Sequence, residues 1–184
     1  MSDVMDCGRL FDELSRPDPR KELTRAASPF ALATALTLLA KIEETPLLML
    51  RYSGTSLSIE LPFDEIPERA QEIFGRERPR YLAFRQRILD LQLLATRTRV
   101  DADAIHGLQR LARLEIGSWA ANPFYELRRV LGDQVEPAEL NRDLAVELEK
   151  SLTGLNRATY RSALGVLDRL QNSELAQATG LLPR

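Results

Sequence analysis

From Pro67 onward the chain is cut into segments by helix start and stop residues, and this punctuation narrows its possible folds more than any other feature. Pro79, Pro123 and Pro137 stand at first-turn positions, where a missing N–H costs nothing and φ is already helical. Asp101, Asn122 and Asn156 read as N-caps, whose side-chain oxygens accept from the unpaired N–H groups of a first turn. Gly75, Gly132 and Gly154 close segments, because a helix end favours a residue that tolerates the left-handed region. Between these marks the apolar residues recur at three and four positions. Tyr81, Phe84, Ile88, Leu91 and Ala95 form one such row, Phe124, Leu127 and Leu131 another, and Leu140, Leu144, Leu148 and Leu152 a third. That spacing lays one buried stripe along a helix. Upstream, Ser28 and Pro29 open a helix to about Glu44 that is apolar nearly all round and belongs in the middle of a core.

Only the stretch after Thr45 departs from the helical period. Leu57, Ile59 and Leu61 alternate with Ser56, Ser58 and Glu60, as in a half-buried strand, and Ser53, Gly54 and Thr55 supply a turn back to Leu47–Tyr52. The expected fold is therefore mainly α, a helical bundle of about seven helices with one small β-hairpin at about 47–62. It divides into a helical domain over 1–150 that includes the hairpin and a C-terminal helical segment over 151–184, which can belong to the same compact unit.

At 184 residues the chain can bury a true core without covalent staples. The single cysteine, Cys7, has no partner in the chain, and no start segment has the pattern of a secretory leader, so a reducing, cytoplasmic setting is expected. The most hydrophobic run, Pro29 to Ala40, is far short of the roughly 20 apolar residues of a membrane span, so no membrane is expected. His106 is the only histidine, which leaves a transition metal or a His-dependent mechanism with one imidazole. Neither G-x-x-x-x-G-K nor G-x-G-x-x-G occurs. The expectation is no enzyme, no metal and no cofactor. Trp119 and Tyr125 with Phe124 have the chemistry to stack nucleobases, yet their spacing around a helix start is that of a core anchor, and core is the expectation.

What remains is charge. Arginine outnumbers lysine 22 to 3, and nine arginines face four acids between Arg76 and Arg113, although the net charge of the chain is only −2. A guanidinium offers a rigid fork of donors suited to phosphate or carboxylate. From Glu136 to Lys150 the balance reverses, with five acids against Arg142 and Lys150. Arg87 can pair with Asp90 at helical spacing, whereas Arg97, Arg99, Arg157 and Arg161 have no acid so placed. In the last long helix Arg157, Arg161 and Arg169 lie opposite Tyr160, Ala163, Leu164, Leu167 and Leu170. These residues predict backbone-directed duplex DNA binding by Arg97, Arg99, Arg157, Arg161 and Arg169. The alternative is a helical protein-protein interaction subunit, in which the basic stretch meets an acidic partner surface or the acidic helix of the chain itself.

The segment SLTGLNRATYRSALGVLDRL, residues 151–170, resembles the helices of the core-binding (SAM-like) domain of tyrosine recombinases. In that family an opening of the Thr-x-x-x-Tyr-Arg type leads an amphipathic helix that docks on the DNA backbone, and Tyr160-Arg161 stand in the corresponding place here. The resemblance implies a helical DNA clamp of the kind that precedes a catalytic domain bearing an Arg/His/Arg set and a nucleophilic tyrosine. No such set is present in this chain. The implied role is non-enzymatic and DNA-associated: the N-terminal part of a recombinase, or an accessory factor in DNA recombination or another DNA transaction. The first 150 residues lie outside the resemblance.

Overall fold

The computed structural model describes residues 4–97, 101, 103–132 and 135–183. It is mainly α, with ten helices and one two-stranded antiparallel sheet among the described residues. The chain falls into two compact units, 1–102 and 103–184, so that residues 151–184 share a unit with 103–150.

The first unit is built on two helices, α2 (Pro29–Ile42) and α5 (Arg78–Thr96), which pack together as the sequence pattern requires. Ser28 caps α2 by accepting from Ala31 N–H, with Pro29 at the first helical position. Leu32, Leu36 and Leu39 of α2 are fully buried, and so are Tyr81, Ile88, Leu89 and Leu91 of α5. α2 is not buried to its tip, since the apolar Phe30 is 82% exposed. Around this pair stand α1 (Cys7–Leu14), capped by Asp6 through Arg9 N–H, α3 (Ser56–Glu60) and α4 (Glu68–Phe74). Phe74 meets Tyr81 edge-on at 5.7 Å between ring centres and Phe84 at 5.1 Å, which closes the α4–α5 corner.

The sheet differs from expectation in its partner. Strand β2 (Arg51–Ser53) pairs with β1 (Val4–Asp6), in the register Val4↔Ser53, Met5↔Tyr52, Asp6↔Arg51, and not with a strand at 57–61. The hairpin at 47–62 is thus corrected: Leu47–Met49 is a 3₁₀ turn and Ser56–Glu60 is helical. The reason is visible in the burial of the segment. Leu57 and Leu61, four apart, are fully buried, while Ile59, which a strand would place on the same face, is 65% exposed.

The second unit comprises α6 (Ala104–Glu115), α7 (Phe124–Leu131), α8 (Arg142–Lys150), α9 (Gly154–Leu170) and α10 (Glu174–Ala178). α6, α7 and α9 pack on one another around Leu108, Leu111, Phe124, Leu127, Tyr160, Ala163 and Leu170, all fully buried. Four boundaries move from the expected ones. α7 begins at Phe124 with Pro123 at the cap position and no side-chain cap, so Asn122 ends the preceding 3₁₀ turn and does not cap the helix. Asp103, not Asp101, caps α6, accepting from the N–H groups of Ile105 and His106. Glu136 and Glu139 form a reciprocal capping box around a 3₁₀ turn at Pro137, and the helix proper restarts at α8, capped by Asn141. α9 begins at Gly154, whose φ of +54° suits glycine, so Asn156 lies within the helix and not at its cap.

Candidate nucleic-acid interface

The arginines that look unmatched in the sequence have several fates. Within the run from Arg76, the protein's own packing takes up a large share. Arg85 is buried; its Nε donates to the Leu61 carbonyl at 2.5 Å, and its Nη2 lies 3.5 Å from Asp101 Oδ1. Arg78 donates to the Phe63 carbonyl and lies over the Phe63 ring, 5.6 Å from its centre. Arg80 pairs with Glu77 at 3.8 Å. Asp90, whose helical spacing suits a pair with Arg87, is buried. Arg97 is exposed and ends α5 in the left-handed region at φ 55°, its N–H donating to Leu93. It belongs to the first unit, whereas Arg157, Arg161 and Arg169 belong to the second. Arg99 lies outside the described residues.

α9 brings the other three together. Its apolar side, Tyr160, Ala163, Val166, Leu167 and Leu170, is buried, and Arg157, Ala158, Arg161, Ser162, Gly165, Asp168 and Arg169 are exposed. At 100° per residue these seven span roughly 140° of the helix surface, one unbroken strip. Small side chains lie between the arginines, and a Cβ added at Gly165 would meet nothing within 4 Å. Asp168 is the only acid on the strip.

Arg157 and Arg161 have no acid at helical spacing, as the sequence indicates, but the acidic helix of the chain supplies one from farther off. Glu149, near the end of α8, receives both. Its Oε1 accepts from Arg157 Nε at 2.6 Å and from Arg161 Nε at 2.8 Å, with Arg161 Nη2 at 2.6 Å. The hydrogen bonds from Arg161 and then Arg157 hold the Glu149 carboxyl below the usual carboxylate range. Both guanidiniums remain open to water, at 48% and 61% exposure, so the pairing is of the weak, screened kind. One carboxylate between two guanidiniums leaves the trio with a net positive charge, and it orients both cations.

Arg169, two turns on, lies over an aromatic ring: its guanidinium carbon is 5.7 Å from the centre of Trp119. Trp119 sits in the 3₁₀ turn Ser118–Ala121 and is 53% exposed, and Tyr125 is 56% exposed. Of the three aromatics expected in the core, only Phe124 is there. Ala120 and Phe124 anchor the segment, and that frees Trp119 to point outward.

The remaining candidates have structural roles or lack the state their chemistry needs. His106 approaches Asp103 at 3.8 Å and Arg128 at 3.4 Å, beside the α6 cap. Cys7 is fully buried, and burial pushes its thiol up to about 12, far from the thiolate a nucleophile needs. Among the described residues no group of three or more His, Cys, Asp or Glu side chains is placed to hold a metal ion. Among the described residues no helix is long and apolar enough to cross a membrane. Compared with known proteins, the chain matches no family model, no curated protein and no solved structure.

Proposed function

We propose that the chain is a non-enzymatic, nucleic-acid-associated helical protein that binds duplex DNA through its phosphates, with Arg157, Arg161 and Arg169 of α9 as the contacts. The observation that carries this reading is the α9 strip: three exposed guanidiniums on one helix face, separated by residues small enough to let a sugar-phosphate backbone approach. Phosphate contacts of this sort set position and carry no sequence information, so binding is weakly sequence-specific. A place in DNA recombination, as the N-terminal part of a recombinase or as an accessory factor, belongs to the same proposal and is supported by the resemblance of residues 151–170. A cytoplasmic setting goes with it.

The test is the salt dependence of affinity for a mixed-sequence duplex. Each phosphate contact contributes about 0.9 to the slope of log affinity against log salt, so replacing Arg157, Arg161 and Arg169 by Ala flattens the slope by about three units. Absence of binding at low salt, or an unchanged slope in the triple variant, sinks the reading. A protein-interaction role then takes its place, and one observation favours it. α8 has no fully buried residue, and Val146 is 51% exposed with Leu144 and Leu148 only half-buried, an apolar face still open on one side.

A further inference from the structure

A half-exposed tryptophan under an arginine has no role in phosphate binding, and its surroundings suit a different ligand group. Trp119 follows Gly117, whose φ of 140° carries the chain up under the indole: a Cβ at Gly117 would lie 3.4 Å from Nε1 and 3.5 Å from Cδ1. One edge of the ring therefore lies beside Gly117, and a residue other than glycine there would be strained in φ. Arg169 lies over the ring, and its own side chain joins the indole to the cationic strip of α9. An aromatic surface and an adjoining guanidinium, continuous with a row of arginines, are the parts with which proteins hold a single strand. The strand's phosphates follow the cations and its bases stack on the ring.

We infer that Trp119 and Arg169 form a stacking platform for an unpaired nucleobase, at the end of the strip whose arginines hold the phosphates of the same strand. The inference rests on the nucleic-acid reading of α9 and extends it to a ligand class, single-stranded or locally unpaired nucleic acid. The chemistry of the neighbouring residues favours this occupant: an apolar peptide has no use for three guanidiniums, and a nucleic-acid strand carries a flat ring with every phosphate, which an acidic peptide does not. Duplex DNA keeps its bases stacked on each other and offers the indole nothing except at an end or a distortion.

Trp119 is the only tryptophan in the chain, so its emission reports on this site alone. The experiment titrates the full chain at low salt with a labelled thymine homopolymer of about twelve nucleotides, the matching-length duplex, and heparin, a polyanion without bases. Binding is followed by the anisotropy of the label, with heparin as a competitor, and stacking by Trp119 emission. The thymine strand quenches the emission and heparin does not. Trp119→Ala weakens binding of the strand by roughly five- to a hundredfold and lowers the ratio of single-strand to duplex affinity, and Trp119→Phe restores both. The inference is overturned if the strand binds with unchanged emission, if heparin quenches to the same extent, or if Trp119→Ala binds the strand as the unaltered protein does. Salt-dependent duplex binding alongside any of these results leaves the α9 reading standing. Failure of strand and duplex alike to bind at low salt removes both.

Discussion

Glu149 shows how a residue's role escapes a one-dimensional reading. It stands eight positions before Arg157 and twelve before Arg161, outside any helical pairing rule, and reaches both because the chain turns at Ser151–Thr153 between α8 and α9. The charges were legible in the sequence; the bend that makes them partners was not. Trp119 was misread for the complementary reason: its spacing matches a core position, but Ala120 and Phe124 fill that place. The Glu149 trio makes a prediction with a definite sign. Its carboxyl is held below the ordinary value of 4.5, so the stability it contributes is fully present above that pH and is lost as pH falls through the lower folded value. Glu149→Gln removes this contribution at neutral pH, and the difference in melting temperature between the two proteins narrows on acidification below about pH 4.5. The same variant leaves Arg157 and Arg161 without a competing anion, so its duplex affinity at low salt rises. A melting difference that is constant from pH 7 to pH 3, or a lower affinity, contradicts this account.

At the scale of elements, α2 and α5 were readable because a first-turn proline and an apolar stripe agree in both, with a Ser28 cap in α2, as in sequences whose local and global preferences coincide. The segment after Thr45 was not, because five residues of alternating polarity satisfy a strand and, through Leu57 and Leu61, a helix turn as well. The deciding partner was remote: β2 pairs with β1 across some 45 residues of chain, supported by the Asp6–Arg51 ion pair at 3.2 Å, and a turn at Gly54 carries no trace of it. Two substitutions separate the alternatives. In the helix, Leu57→Ala opens a cavity and costs about 2–5 kcal/mol, while Ile59→Glu faces water and changes stability by less than about 0.5 kcal/mol. In a strand with Leu57, Ile59 and Leu61 on one face, both changes would be severe. Urea unfolding of the two variants reads the difference directly.

For the molecule as a whole, the sequence announced a local excess of arginine and the structure spreads it over two units. The run from Arg76 to Arg113 crosses from one unit into the other, and Arg85, Arg78 and Arg80 are engaged within the first. The second unit, 103–184, carries ten Lys and Arg against eleven Asp and Glu, so its overall field does not attract a polyanion and any affinity has to come from the placement of charge on α9. It also holds a core of its own, with Leu108, Leu111, Phe124, Leu127, Tyr160 and Leu170 fully buried. These two facts together define a test of where binding resides. Residues 103–184 expressed alone fold cooperatively, as judged by a single melting transition, because their apolar residues already have partners within the unit. The fragment keeps the duplex salt slope of the full chain if Arg157, Arg161 and Arg169 are sufficient. A folded fragment whose slope is flatter by about two units assigns contacts to residues 1–102, where Arg97 and Arg99 are the two of the five candidate arginines that it lacks. A folded fragment with no affinity, beside a full chain that binds, moves the interface off α9 altogether.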